Sequence, residues 1–299
     1  MRKKLPKFQK GQALLIVLLS MAVVLTIVLS ILARSITDLS LSSQDEDSLR
    51  AFSAAEAGVE KALIIGTDIG STEIGNATYN ASVSSYAEGE SSFSNPISLT
   101  SGESSTLWFV AHDEDGNLVC SVDKPCFRGS QMKVCWGKSG TSSSSDTTPA
   151  IELSIFYTTS AGDYSTARIA RAALDPNGSR RASNNFSAPD SGTCTIGSNT
   201  FEFQKTISFS DLGIPANVQN LQNGLQFAKI RFFYNTDVSQ NFGFDLNFPG
   251  NSVLPSQGLS IESSGSSGEA NRKLNVFQSY AETPEIFDSV VFSGSGVTK

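Results

Sequence analysis

The strongest pattern in the chain is one long apolar run near its N-terminus. Residues 13–33 contain no charged side chain, and Ser20, Thr26 and Ser30 are the polar positions within the run. As a helix rising about 1.5 Å per residue, such a run is about 30 Å long, which matches the hydrocarbon thickness of a bilayer. A helix also satisfies its own backbone hydrogen bonds in lipid. The pattern therefore predicts a transmembrane helix over residues 13–33.

Beyond Arg34 the pattern becomes amphipathic without a helix-breaking residue. Large apolar side chains recur at three- and four-residue steps, which marks one face of a helix. This face consists of Leu49, Phe52, Val59 and Leu63. We predict one helix over residues 12–66, amphipathic over 34–65, which ends near Gly66 and packs this face on the first sheet.

After residue 66 short alternating segments replace the helical pattern. FEFQKTISF, at residues 201–209, alternates apolar and polar side chains as a strand does. We predict hairpins that pair residues 106–112 with 117–122 and residues 225–235 with 242–248, and one short helix within 210–224. The other predicted strands cover residues 78–86, 131–136, 151–158 and 166–174, two strands within 259–280, and 286–294.

These elements together predict an α+β fold. A long N-terminal transmembrane and amphipathic helix packs on an antiparallel, β-rich globular region over residues 67–299. That region forms either one domain or two blocks, residues 67–195 and 196–299.

A basic leader precedes the apolar run and ends at Gly11. Its five positive side chains are Arg2, Lys3, Lys4, Lys7 and Lys10. Positive charge beside a membrane span favours the cytoplasmic side. We therefore predict a single-pass protein of the inner or cytoplasmic membrane, with its N-terminus inside and its β-rich region exported.

The leader, the glycine, the apolar run and the amphipathic extension together resemble the class III signal of type IV pilins and pseudopilins. Residues 51–63, AFSAAEAGVEKAL, resemble the same region in PilX-like minor pilins and in large pseudopilins of type II secretion. The resemblance covers about the first fifth of the chain. It implies that a prepilin peptidase cleaves after Gly11, that Gln12 becomes the methylated N-terminus, and that the helix serves first as membrane anchor and then as filament core. The implied partners are this peptidase, other pilins or pseudopilins, and the filament assembly platform.

Two positions depart from the family pattern. Gln12 stands where most members begin their mature chain with phenylalanine, and Ile16 stands where most carry glutamate. In the family this glutamate neutralises the N-terminal amine of a neighbouring subunit, and a carboxylate in lipid needs such a partner. Ile16 therefore favours the rarer members that sit at a filament tip, and the exported part would then belong to a cell-surface filament.

Two other interpretations of the apolar run remain open. The chain could be a signal-anchored surface protein, such as an adhesin or envelope component, that never enters a filament. A cleaved secretory signal fits less well, because the apolar core of such a signal usually has about 7 to 15 residues. Processing at Gly11 distinguishes an ordinary anchor from a pilin.

Four cysteines follow the helix, all in the region predicted to be exported. An even number of cysteines in an oxidising compartment favours disulfides, and four cysteines allow three pairings. We prefer Cys120 with Cys126 and Cys135 with Cys194. A zinc site is the rival interpretation, but the spacing CSVDKPC does not match a C-x-x-C knuckle.

The sequence contains no recognisable catalytic arrangement, so we predict a non-enzymatic protein without a cofactor. Its one histidine, His112, stands at a predicted strand end, where a surface position is expected. No G-x-S-x-G turn or phosphate-binding glycine loop occurs. Asp113, Asp115 and Asn117 alternate oxygen ligands as a calcium loop does, but Leu118 stands where an EF-hand needs glycine. A hairpin turn is the preferred interpretation of this segment, and calcium is the alternative.

The charge of the chain argues against nucleic acid as a partner. The formal net charge is −7, and loss of the leader makes it more negative. An acidic protein repels the phosphate backbone at long range. Arg180 and Arg181 form a small basic cluster, for which we predict a solvated loop rather than a DNA contact.

Overall fold

The structure, a computed structural model, describes residues 12–113, 115–160 and 162–282. The leader with Gly11 and the predicted strand over residues 286–294 lie outside these residues. Within them the fold class is as predicted, a long apolar N-terminal helix and antiparallel β-sheets.

The helix, α1, spans Gln12–Ile65 and has 54 residues. It ends one residue earlier than predicted. Gly66 follows with φ at +74°, a left-handed conformation that glycine adopts without strain. Its N–H donates to the carbonyl of Ala62 at 2.8 Å, which closes the last turn of the helix.

Fifteen strands follow among the residues that the structure describes. They are β1 (Ile69–Ile74), β2 (Ala77–Ser85), β3 (Ser92–Ser94), β4 (Ser104–Trp108), β5 (Ala111–His112), β6 (Leu118–Val119), β7 (Gln131–Lys138), β8 (Ala150–Thr158), β9 (Ala167–Leu174), β10 (Cys194–Ile196), β11 (Asn199–Ser208), β12 (Leu225–Phe233), β13 (Phe242–Asp245), β14 (Gly258–Ser267) and β15 (Ala270–Ser279). The short helices are α2 (Gly178–Asn184) and α3 (Ala216–Gln219), and a 3₁₀ turn covers Tyr164–Thr166.

The strands form three larger sheets and one small hairpin. The first sheet has the order β1-β2-β14-β15, the second β10-β11-β7-β13-β3, and the third β4-β12-β8-β9. The hairpin pairs β5 with β6.

The chain divides into two compact units. Among the described residues, one contains residues 12–83 together with Ile261–Val276, and the other contains Ser84–Ser260 together with residues 277–282. These units differ from the predicted blocks, and the predicted boundary after residue 195 falls inside β10. The first unit has a small core that includes Val59, Tyr79 and Ile261. The second has a large aromatic core.

The predicted pairing of residues 225–235 with 242–248 is wrong. β12 pairs with β4 and β8, whereas β13 pairs with β3 and β7 in a different sheet. Sequence neighbours often pair, but a central strand takes whichever partners bury it best. β12 is buried along most of its length and lies inside its sheet, so a local hairpin would have left one of its edges open.

The other predicted hairpin is present but shorter than expected. Ala111 pairs with Val119 and His112 with Leu118 across the acidic turn. The preceding residues instead form β4, which pairs with β12. The single strand predicted over residues 106–112 is therefore divided between two sheets.

Candidate functional site: the long helix and its interface with the first sheet

The first part of α1 exposes apolar side chains on every side. From Leu14 to Leu32 the large apolar residues are 45–67% exposed. The helix is long and apolar enough to cross a membrane, and none of its most apolar stretch is buried within the protein. Such a surface requires lipid or other apolar helices around it.

The predicted mature N-terminus, Gln12, stands at the start of this surface. Gln12 already belongs to the helix, whereas Gly11 lies outside the described residues. Ile16 is 60% exposed in the first turns. The helix that the structure describes therefore reaches back to the residue that cleavage would leave as the new N-terminus.

A stripe of small residues in the second part of α1 packs on the first sheet. Buried positions recur at steps of three and four residues, as expected for one helix face. They are Ala51, Ala54, Ala55, Gly58, Val59 and Ala62. We refer to these six residues as the small-residue stripe.

The helix backbone lies directly against β14. A Cβ atom added at Gly265 would stand 2.1 Å from the carbonyl oxygen of Ala51 and 2.5 Å from the amide nitrogen of Ala55. A Cβ atom at Gly58 would stand 2.3 Å from the Oγ atom of Ser263. Glycine is therefore needed on both surfaces for this approach.

The predicted packing face is only half correct. Val59 is 7% exposed and Leu63 is half-buried, but Leu49 is 68% exposed and Phe52 is 41% exposed. The physical reason is the short helix–sheet distance, because large side chains would hold the two backbones apart. The spacing of large apolar residues predicted that Leu49 and Phe52 lie in the interface, but the buried positions of the helix are occupied mainly by small residues.

Polar contacts hold the turn between β14 and β15 on the helix. The Oγ atom of Ser267 donates to Asp47 at 3.1 Å, and the Nε and Nη2 atoms of Arg272 donate to Ser48 at 3.0 and 2.6 Å. Gly268 adopts φ of +54°, and a Cβ atom there would stand 2.4 Å from the Asp47 carboxylate. Residues 220 and more positions apart form these contacts, so sequence reasoning did not find them.

Because Leu49 is exposed and Val59 is buried, we expect substitutions at these two positions to change the free energy of unfolding by different amounts. Leu49→Ser should change the free energy of unfolding by no more than about 0.5 kcal/mol, as is usual for exposed positions. Val59→Ala should lower it by about 1 to 2 kcal/mol, because buried methyl groups are lost. Hydrogen exchange of the helix amides in both variants tests this, and an equal loss of protection would contradict the assigned interface.

Both preferred disulfide pairings are present. Cys120 pairs with Cys126 at a Cα–Cα distance of 5.4 Å, and Cys135 pairs with Cys194 at 5.9 Å. The second bridge joins β7 to β10, on either side of β11. All four cysteines are used, so the zinc interpretation is wrong.

The acidic turn that raised the calcium alternative is closed by its own side chains. Asp113 Oδ1 accepts from the N–H groups of Asp115 and Asn117 at 3.0 and 2.8 Å, and Oδ2 accepts from the Asn117 side chain at 3.1 Å. These hydrogen bonds, chiefly the one from the Asn117 backbone, lower the pKa of Asp113. In the part of the chain that the structure describes, no group of three histidine, cysteine or carboxylate side chains could hold a metal ion. The geometry is that of a hairpin turn.

The basic cluster is not a solvated loop, contrary to the prediction. Arg180 donates to both carboxylate oxygens of Asp175, at 2.7 and 3.1 Å, and Asp175 is fully buried. Its guanidinium also lies 4.0 Å from the ring centre of Tyr234. Arg181 donates to the backbone carbonyl of Asp175 at 2.8 Å. The two arginines therefore hold the segment around α2 in place, because they form hydrogen bonds and an ion pair within the protein.

His112 is buried rather than exposed, which also corrects the prediction. Its ring stacks on Tyr280 at 3.8 Å and meets the edge of Trp108 at 4.6 Å. Among the residues that the structure describes, its Nδ1 atom has no hydrogen-bond partner. Contacts with these two aromatic rings therefore hold the side chain.

The burial of His112 makes stability depend on pH. Burial lowers the pKa of His112, although Asp113 acts in the opposite direction and Lys124 adds to the lowering. Protonation of His112 then favours the unfolded chain. The contribution of His112 to stability is therefore fully present above the unfolded pKa of about 6.5, and it is lost as the pH falls below that value. Urea unfolding followed by tryptophan fluorescence should show a lower midpoint at pH 5.5 than at pH 8. The part of this decrease in midpoint that comes from His112 should be absent in the His112→Phe variant. An identical decrease in both proteins would contradict the role of His112 in the pH dependence.

Comparison of the chain with protein-family models, with curated proteins and with solved structures finds no match. The interpretation of the long helix therefore depends on its own sequence and geometry.

Proposed function

We propose that this protein is a minor pilin or pseudopilin, a non-enzymatic subunit at or near the tip of a type IV pilus-like or type II secretion filament. One observation carries the proposal. A single helix runs from Gln12 to Ile65, apolar and exposed in its first part and packed on a sheet through small residues in its second.

The length of the helix favours a filament subunit over a simple anchor. A membrane span needs about 20 residues, and the helix continues far beyond that length. Ile36, Leu39 and Leu41, beyond the predicted span, are 68, 72 and 53% exposed. In an anchored monomer these side chains would face water, whereas in a filament they would pack against neighbouring helices.

The proposed mechanism is a transfer of the helix between two apolar environments. Before assembly, lipid covers the first part of α1, and the positive leader keeps the N-terminus in the cytoplasm. Prepilin peptidase removes the leader after Gly11, which leaves Gln12 at the start of a helix without charged side chains over residues 12–33. The assembly platform then draws this helix into the filament core, and the β-rich region faces outwards.

Ile16 supports a position at the tip. A subunit in the shaft is expected to place a carboxylate near the N-terminal amine of a neighbour, and an isoleucine there cannot form that ion pair. A subunit at the tip has no neighbour above it to neutralise.

The same residue favours the second candidate, a signal-anchored surface protein that stays in the membrane. With Ile16, the helix has no charged side chain over residues 12–33, and such a segment is also a good lipid anchor. The two candidates differ in where the protein is found after export.

Filament shearing separates the two candidates. The full chain would be produced in a host with a matching filament system, beside a Gly11→Val variant that keeps the apolar run but removes the processing glycine. We expect the wild type in sheared filaments and the variant in the membrane fraction. Wild-type protein that stays entirely with the membrane would support the anchored alternative.

A further inference from the structure

We propose that the open edge of β9 binds an extended segment of a partner protein, in which an apolar residue and an acidic residue stand two positions apart. β9 is the terminal strand of the third sheet, and it pairs with β8 from Ala167 to Leu174 without a register shift. The edge of such a strand presents N–H and C=O groups on which a further strand can be added. Both strands lie within the second unit, and the proposal does not depend on assembly into a filament.

One existing contact shows which backbone groups of β9 point away from β8. The N–H of Ser187 donates to the carbonyl of Ala173 at 2.8 Å, so Ala173 directs its backbone groups to the side opposite β8. Alternate residues of an antiparallel strand direct their groups to the same side, so Ile169 and Arg171 do so too. In the part of the chain that the structure describes, no strand pairs with Ile169 or Arg171 from that side. Their N–H and C=O groups therefore form an open edge.

Ile169 ends a row of large apolar side chains that crosses the outer face of the third sheet. Trp108, Phe227, Phe156 and Ile169 are direct neighbours on β4, β12, β8 and β9. The ring centre of Phe227 lies 5.1 Å from that of Trp108 and 4.2 Å from that of Phe156. Ile169 is 49% exposed, because the row ends with it at the edge of the sheet. An apolar side chain on an added strand would extend the row and bury this surface.

Arg171 lies on the same face as Ile169, in the next row of the sheet. Its side chain is 53% exposed, and its Nε atom is 3.9 Å from Glu152 Oε1, which is longer than a hydrogen bond. A guanidinium has five N–H donors, so Arg171 can donate to a further carboxylate. Side chains two positions apart on a strand lie on the same face. An added strand would therefore place an apolar residue beside Ile169 and an acidic residue, two positions away, beside Arg171.

The charge of this edge favours a different protein over a second copy of the chain as the partner. β9 carries Arg168 and Arg171, both exposed, and has no acidic residue. Pairing two copies through β9 would bring their arginines together, and like charges on adjacent strands are destabilising. An extended segment with an acidic residue has the complementary charge.

Hydrogen exchange of single amides in the full chain, kept in detergent micelles, tests the proposal. The probe is the blocked peptide acetyl-Thr-Glu-Thr-Val-Thr-Glu-Thr-amide, which places an acidic residue two positions from valine in either strand direction. Without peptide, the amides of Ile169 and Arg171 should exchange at least tenfold faster than that of Ala170, which faces β8. Saturating peptide should slow the exchange of both amides at least tenfold.

Three comparisons separate strand addition from unspecific binding. A peptide with an N-methyl group on its valine lacks one backbone donor and should bind at least tenfold more weakly. A peptide with glutamine in place of both glutamates should bind several-fold more weakly. Arg171→Gln should weaken binding of the original peptide several-fold, whereas Arg128→Gln, the same charge change at an exposed position outside β9, should leave it unchanged.

The N-methyl peptide keeps the test decisive if Arg171→Gln alters folding, because the protein itself is then unchanged. The proposal is wrong if the original peptide leaves the exchange of Ile169 and Arg171 unchanged, or if it protects the edge of another strand instead. It is also wrong if the N-methyl peptide binds equally well, or if Arg171→Gln and Arg128→Gln bind the original peptide alike.

Discussion

Gly265→Val is expected to separate the second part of α1 from β14. The first added carbon would already stand 2.1 Å from the carbonyl oxygen of Ala51, and backbone atoms cannot rotate away as a flexible side chain can. Overpacking of this kind costs about 3 kcal/mol or more when the clash involves the backbone. Hydrogen exchange of the amides from Ala51 to Ala62 should therefore accelerate by at least two orders of magnitude.

Gly70→Ala is the matched control in the same unit. Gly70 lies in β1, and a Cβ atom there would meet nothing within 4 Å. Its exchange pattern should equal that of the wild type. If Gly265→Val also left the protection of the helix unchanged, the close approach of α1 and β14 would be contradicted.

Removing the disulfide between Cys135 and Cys194 should cause the second large loss of stability that we expect. The two residues are 59 positions apart, and the bridge restricts a long loop of the unfolded chain. The relation between loop length and chain entropy predicts that the Cys135→Ala, Cys194→Ala double variant has a free energy of unfolding lower by about 4 kcal/mol. The same relation gives about 2 kcal/mol for the shorter loop that Cys120 and Cys126 close.

Trp136 provides the measurement for both bridges, because it is fully buried beside Cys135 in the second unit. Urea unfolding followed by its fluorescence should show the larger decrease in midpoint for the Cys135–Cys194 variant. The smaller-loop variant serves as the comparison. Equal midpoints in the two variants would show that loop length does not set the contribution of these bridges.

The sequence predicted the features that depend on local pattern. The apolar run and Gly66 located α1 to within one residue of its end. Alternating side chains located most strands, and β11 at residues 199–208 is an example. The disulfide pairings followed from the number of cysteines and the preference for a short loop.

The features that the sequence did not predict depend on distant residues. β12 and β13 enter different sheets because each is stabilised by strands far away in sequence. The small-residue stripe was missed because alanine and glycine give a weak hydrophobic signal, although a repeated spacing of small residues within a helix could have indicated it. His112 is buried against Tyr280, and Arg180 also contacts Thr148 and Tyr234, all residues that only the folded chain brings close.

The proposed function depends most directly on processing at Gly11. The decisive measurement is the mass of the mature N-terminus after expression of the full chain with and without a prepilin peptidase. We expect a chain that begins at methylated Gln12 only when the peptidase is present. An intact leader in both samples, with the protein retained in the membrane, would contradict the assignment of the chain to the pilin export pathway.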